Sequence, residues 1–441
     1  MMNNIKIFKF ILLTCAFATV ADANAGLLIQ SYERAKLSDY EYQVAIADYN
    51  ANREQRAIDR SGILPTLGVE AQRLELVDAG TESNSYSVFL QQSLFDLSSW
   101  YTYKQGKALS ERAEIELEQA KQAMILRLVQ AYLGALEAND NYRIALAEEK
   151  AFIDQLARSK KRHDLGLAAI AEVYEAESVA DSAKADTLTA RAAIGVSFSQ
   201  LALLTGESYD SLAHLKDDFP IAMPAPSGEE EWVELGLKES LEIQAAQLTL
   251  TAATANSRSR KASHLPTIVG RVSHDYSDTN GLSSSFQTIG EDEDTQILLT
   301  LEIPLFSGGG IAAARRQAAH QKTSAEKRYF LAEQNTVRLV RSSHLTLIAS
   351  VASVEARKKI IDSTDKALKS SEAGFKIGTR NLVDLLNARR SVFQAERNYR
   401  AALYDYILNS LTLKLNAGVL SESDLIYLDQ WLSISPTLKE S

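Results

Sequence analysis

The sequence predicts a mainly α-helical protein with a membrane β-barrel part, built from a tandem structural repeat. Three observations carry this. Landmarks recur between 201 and 212 residues apart, two long stretches contain no proline, and four strand-length segments alternate apolar and polar residues.

The chain of 441 residues opens with an export signal. "MMNNIKIFK" is a short basic start, an apolar run follows from Phe10 to Val20, and "ANA" before Gly26 fits a cleavage site. Residues 1–25 therefore read as a signal peptide, too short and too close to the start to span a membrane as a helix. Cys15, the only cysteine, lies inside it, and Thr14 before it argues against lipid attachment. The exported part has no cysteine and keeps 45 bases against 56 acids. It uses no thiol chemistry, and its acidic balance excludes nucleic acid, because phosphate binding needs a basic face. No later window offers the ~18–20 apolar residues of a spanning helix, so entry into a membrane after export has to be as a β-barrel.

The seven prolines stand at 65, 220, 224, 226, 266, 304 and 436. The intervals 66–219 and 305–435 are free of them and can hold long helices. "PIAMPAPSGEEEW" (220–232) is the seam. The expected organisation is a first repeat at 26–219, a Pro-rich linker at 220–228, a second repeat at 229–435 and a tail at 436–441. "ILPTLGVEAQ" (63–72) matches "HLPTIVGRVS" (264–273) at an offset of 201, and "SLFDLSS" (93–99) matches "PLFSGGG" (304–310) at 211. Thereafter the offset holds at 212: Ala176, Ala183, Ala190, Leu201, Leu203 and Gly206 recur as Ala388, Ala395, Ala402, Leu413, Leu415 and Gly418. This is a tandem duplication with a longer second loop.

Each half reads as helix, strand pair, helix pair. Strands are expected at 66–76, 85–95, 267–276 and 295–304. In the second half Ile268, Gly270, Val272, His274 and Tyr276 share one face, and Ile297, Leu299, Leu301 and Ile303 another. Segments of ~9–11 residues with one apolar and one polar face suit a barrel wall between lipid and water, although a soluble antiparallel sheet alternates identically. Four strands cannot close a membrane barrel, which takes at least ~8, and an open edge is forbidden in lipid, so such a chain has to pool its strands with other copies. From Asp96 to about Arg162, and from Ile311 to about Lys376, the chain runs helical, and some 65 residues reach on the order of 100 Å. Alanines at seven-residue spacing let helices approach closely in a supercoiled array. An ordinary solvated coiled coil would show the same stripe; the strands favour a tube joined to a barrel.

Two further segments repeat: "GLAAIAEVYEA" from Gly166 and "GTRNLVDLLNA" from Gly378, each with an acid at its seventh place, Glu172 and Asp384. With L-P-T before each hairpin and "SLFDLSSW" and "PLFSGGG" after them, these segments resemble the TolC family of outer-membrane channel proteins over nearly the whole exported chain. The resemblance implies a homotrimer, with a twelve-stranded barrel in the outer membrane continuous with a twelve-helix periplasmic tube. It implies an exit duct for drugs or secreted proteins, partnered by a periplasmic adaptor (a membrane fusion protein) and an inner-membrane transporter of the RND or ABC type. The adaptor would dock on the tips Leu165, Gly166, Leu167 and Ile377, Gly378, Thr379. Asp384 would form a constricting acidic ring, Arg380 would tie the gate shut, and Glu172 would be an acid that Arg380 bonds across to. Two positions depart from the family pattern: Asn387 replaces a second ring aspartate, and Phe375 replaces a tyrosine. The plainer alternative for Arg380 and Glu172 is a pair of solvated helix charges.

Enzymatic signals are lacking. The six histidines (163, 214, 264, 274, 320, 344) show no ligand spacing, "SGGG" (307–310) lacks the Gly-Lys-Ser/Thr of a phosphate loop, and no G-x-S-x-G occurs. No catalytic residue, metal or cofactor is expected. The competing class is an exported structural coiled-coil protein without channel activity, which would need no lipid-facing strands.

Overall fold

The structure, a computed structural model, describes residues 27–77, 80–209, 212–280 and 290–433. The expected signal peptide and C-terminal tail lie outside the described residues. Three helices, α1 (Leu27–Ser38), α2 (Tyr40–Arg53) and α3 (Gln55–Ser61), lead into a hairpin of β1 (Thr66–Leu76) and β2 (Thr81–Phe95). The 68-residue α4 (Leu97–Asp164) leaves the hairpin and α5 (Ile170–Thr205) returns along it. A short β3 (His214–Leu215), then α6 (Glu229–Glu239) and α7 (Leu241–Ala262), opens the second half. There β4 (Thr267–Asn280) and β5 (Gly290–Glu302) form the hairpin, and α8 (Gly310–Lys376) and α9 (Leu382–Asn416) the long pair. The chain closes with α10 (Glu422–Asp429) and β6 (Leu432–Ser433).

Local chemistry sets these boundaries. The Asp96 carboxylate accepts from the N–H groups of Ser98 and Ser99 at 2.9 and 3.1 Å and so starts α4. Both returning helices end at a glycine with positive φ, Gly206 at +72° and Gly418 at +76°, where other residues are strained. At 1.5 Å per residue, α4 is about 100 Å long.

The four long strands form one antiparallel sheet in the order β1-β2-β4-β5. Gly68, Phe89, Ser273 and Gln296 stand side by side across it, so the register puts Leu67, Val69, Val88, Leu90, Ile297 and Leu299 on one exposed face. β2 begins at Thr81, β4 runs on to Asn280 and β5 starts at Gly290, each beyond the apolar alternation. Polar segments such as "TESN" keep the backbone ladder without needing an apolar side chain. β1 and β5 are the edges, each with one side unpaired within the described residues.

The core sits midway along the helices. Leu128, Tyr132, Leu201, Trp232, Val340, Leu403 and Leu425 meet there from α4, α5, α6, α8, α9 and α10. The proline-rich seam is strapped onto this core. The Ala222 N–H donates to the Tyr406 hydroxyl (3.0 Å), which itself donates to the Ala222 carbonyl, and Trp232 Nε1 donates to the Pro226 carbonyl at 2.7 Å. α1 is tied to α10 by Tyr32, whose hydroxyl donates to Glu422 at 2.7 Å. That bond and Lys121 hold the Glu422 carboxyl down to about 2.

Candidate functional site at the helix tips

Far from the sheet, α4 passes to α5 and α8 to α9 through short turns. At the first, the Gly166 N–H donates to the His163 carbonyl and the Leu167 N–H to the Arg162 carbonyl, both at 2.8 Å. At the second, Gly378 donates to Phe375 at 3.3 Å and Thr379 to Gly374 at 2.9 Å. This crossed pair satisfies the last helical carbonyls and requires a left-handed residue between them. Gly166 has φ +70° and Gly378 +80°, and a Cβ at either would point into open space. Leu165, Leu167 and Ile377 are 73, 66 and 76% exposed. Thr379 is exposed too, its hydroxyl donating to the Gly374 carbonyl.

The repeated acid has a local cause. Glu172 and Asp384 are each the third residue of their helix, where a carboxylate meets the positive end of the helix dipole. The surroundings then diverge. Asp384 closes a capping box: its N–H donates to Asn381 Oδ1 at 2.8 Å, and its carboxylate accepts from the Asn381 N–H at 3.4 Å. Ala169 at the corresponding cap has no such group, and Glu172 pairs with Arg162 at 3.4 Å.

Arg162 escaped the sequence reading. Besides Glu172, its guanidinium carbon lies 4.8 Å from the centre of the Phe375 ring, so it joins the two tips within one chain. The expected bond from Arg380 to Glu172 does not occur within the chain. Glu172 serves Arg162, and the Arg380 guanidinium makes no hydrogen bond or ion pair among the described residues. Behind the tips, Leu382 and Leu386 pack with Phe152, Ala176, Ala180 and Ala183, and Phe375 lies against them. Asn387 is exposed, one turn after Asp384.

A ladder along α9 was also missed. Arg389 donates to the Ala151 carbonyl (3.3 Å) and pairs with Glu372 (2.8 Å); Arg397 pairs with Glu148 at 2.7 Å. The Tyr404 hydroxyl donates to the buried Asp140 at 2.8 Å, and burial, followed by the Asp140 carboxylate, pushes that phenol up. Apart from Glu372, 17 residues before Arg389, the partners sit 238 to 264 residues away in sequence, and no local pattern connects them. The ladder stops at Arg389; nearer the tip, Leu382 and Leu386 of α9 pack against Phe152 of α4, and Arg162 ties α4 to Glu172 of α5 and Phe375 of α8.

A duplicated chain with a sheet whose exposed face is apolar, long paired helices and two exposed tips is a subunit of a TolC-like outer-membrane channel. Residues 31–207 and 232–419 match the outer membrane efflux protein family, and the chain belongs to that family. It is 29% identical over 428 residues to outer membrane protein TolC of Vibrio cholerae, covering 96% of this chain and 98% of that one. It is 27% identical to the alkaline protease secretion protein AprF of Pseudomonas aeruginosa, over 92% of this chain and 87% of that one. Among solved structures, the outer membrane protein VceC of Vibrio cholerae superposes with a TM-score of 0.77 at 17% identity, covering 89% of this chain and 96% of that one. The protein resides in the outer membrane and extends into the periplasm.

Proposed function

We propose that three copies form the gated exit duct of a tripartite export system, docked by a periplasmic adaptor and fed by an inner-membrane transporter. The observation that carries this is the sheet: its exposed apolar face suits lipid, while β1 and β5 each leave an edge open. Lipid forbids such edges, and pairing β5 of one copy with β1 of the next removes them; three copies then supply twelve strands. α5 supports the same assembly. It is long and apolar yet mostly unburied, with Leu188, Val196 and Leu203 exposed where a neighbouring copy can seat. That length and hydropathy would also pass for a membrane span, but α5 is the returning limb packed along α4.

In this reading the exposed Leu165, Leu167, Ile377 and Thr379 are adaptor contacts at the tips turned by Gly166 and Gly378. Asp384 lines the constriction, with Asn387 beside it in place of a second acid. Arg380, without a partner among the described residues of its own chain, bonds to a neighbouring copy and holds the gate closed, while Arg162 clamps Glu172 and Phe375. The cargo class is drugs and other toxic compounds, secreted proteins, or both, in line with the family's efflux name and with the secretion role in the name of AprF. A deletion strain should become drug-sensitive, lose a secreted protein, or both. Unchanged drug tolerance together with unchanged secretion would refute the assignment. Topology is tested by Asn280→Cys, an exposed position at the end of β4, which should label on intact cells. Thr279 beside it is buried against Ser83 and is a poor labelling site.

A further inference from the structure

Immediately below the sheet, α3, α4, α7 and α8 stand side by side as a single row. A cavity of about 640 Å³ touches all four, lined by Gln55, Gln105, Asn256, Gln317 and Gln321 together with Asp59 and Arg260. In the trimeric tube proposed above the row curves around the axis, and a space shared by all four helices falls on its concave side, so these amides are assigned to the duct. At ~100° per residue, the opposite side of the same helices carries Trp100, Lys104, Arg258 and Arg316.

These bases share a depth. Lys104 is seven residues into α4, Arg316 six into α8, and Arg258 four from the end of α7, which places each about 6–11 Å below the helix ends that meet the sheet. All three are exposed, and none pairs with an acid among the described residues. The Lys104 ammonium stands 5.5 Å from the Trp100 ring and 5.7 Å from Tyr101, and Arg258 lies 6.0 Å from Tyr101. Just above them is an apolar belt: Leu94, Phe95, Leu305 and Phe306 are 60, 47, 91 and 88% exposed. An aromatic and apolar girdle over unpaired bases matches the boundary between acyl chains and headgroups. In a chain with 57 acids and 47 bases, the clustering does not follow from composition.

We propose that Lys104, Arg258 and Arg316, with Trp100, form an outer collar that binds the headgroup phosphates of anionic phospholipid in the periplasmic leaflet. Trp100 seats at the interface and keeps Lys104 extended along its ring. The guanidinium groups of Arg258 and Arg316 offer paired donors to phosphate oxygens. The collar rests on the strands spanning a membrane, and the test separates the two claims.

Trimers in detergent are mixed with vesicles of phosphatidylcholine alone or containing one part in three phosphatidylglycerol, floated, and weighed with bound lipid by native mass spectrometry. Wild type should retain phosphatidylglycerol over phosphatidylcholine by on the order of five-fold for each engaged base. The triple variant Lys104→Gln/Arg258→Gln/Arg316→Gln should bring retention close to parity while remaining trimeric on unboiled gels. Arg260→Gln, on the duct side, should keep the wild-type preference. A triple variant with undiminished preference, or a wild type with none, overturns the collar. Failure of wild type to float with either vesicle overturns the membrane assignment of the strands and the collar with it.

Discussion

At the first tip an arginine precedes the glycine turn and a small residue follows it; at the second the order is reversed. With the repeat offset of 212, Arg162 corresponds to Gly374 and Ala168 to Arg380. Arg162 bonds Glu172 and stacks on Phe375. Arg380 lies over the bare Gly374, where an added Cβ would come within 2.9 Å of its Cγ, and its guanidinium makes no bond among the described residues. The duplication kept the backbone, including both positive-φ glycines, and exchanged the side-chain chemistry. One arginine is spent within the protomer; the other is available to the assembly.

The largest expected effect tests what the tips share. Gly378→Trp puts a bulky residue at φ +80° on the docking surface and should reduce export to background, while trimers persist on unboiled gels. Gly166→Trp should do the same. Drug-susceptibility assays in which only one of the two variants fails would show that the adaptor reads the tips unequally.

Next come the acids, where the tips should differ. Asp384→Ala should remove most cation selectivity and most block by trivalent cations in planar bilayers, since three carboxylates around a narrow axis concentrate negative potential. Glu172→Ala should change selectivity less, because Arg162 already offsets that charge. Asn387→Asp should strengthen both selectivity and block. Equal losses from the two alanine variants would contradict the division.

The smallest effect concerns Phe375. Phe375→Tyr keeps an aromatic face under Arg162 and should leave conductance within about two-fold of wild type. Phe375→Leu removes ~0.5–1 kcal/mol of cation–π attraction per copy and should raise conductance modestly. If the tyrosine variant closes the channel much more firmly, the hydroxyl matters more than the ring.

Much of the fold was legible because its signals are periodic and local. Alternation marked the hairpins, missing prolines marked the long helices, and four of the six striped alanines are packed, Ala176 and Ala183 at 1 and 4% exposure and Ala395 and Ala402 at 5 and 7%, while Ala190 and Ala388 are half-buried. The sheet order was not legible, since pairing β2 with β4 joins segments 173 to 198 residues apart through backbone groups every residue carries. At the tips, glycine followed by an acid at fixed spacing could be read directly. Arg162 could have been noticed only as the place where the repeat fails to match itself. The α9 ladder to Glu148 and Asp140 leaves no such trace, because a base on a helix is ordinarily a solvated charge.

Single-channel conductance of Arg380→Ser against Arg162→Ser, in the same bilayer and salt, bears most directly on the claim that only the second arginine links copies. A charge-assisted bond between copies contributes ~1.5–3 kcal/mol, whereas the part-exposed Arg162–Glu172 pair contributes ~0–1. Arg380→Ser should therefore raise conductance several-fold and admit large antibiotics, and Arg162→Ser should raise it only slightly. Equal rises in the two variants, or an unchanged conductance in Arg380→Ser, would contradict it.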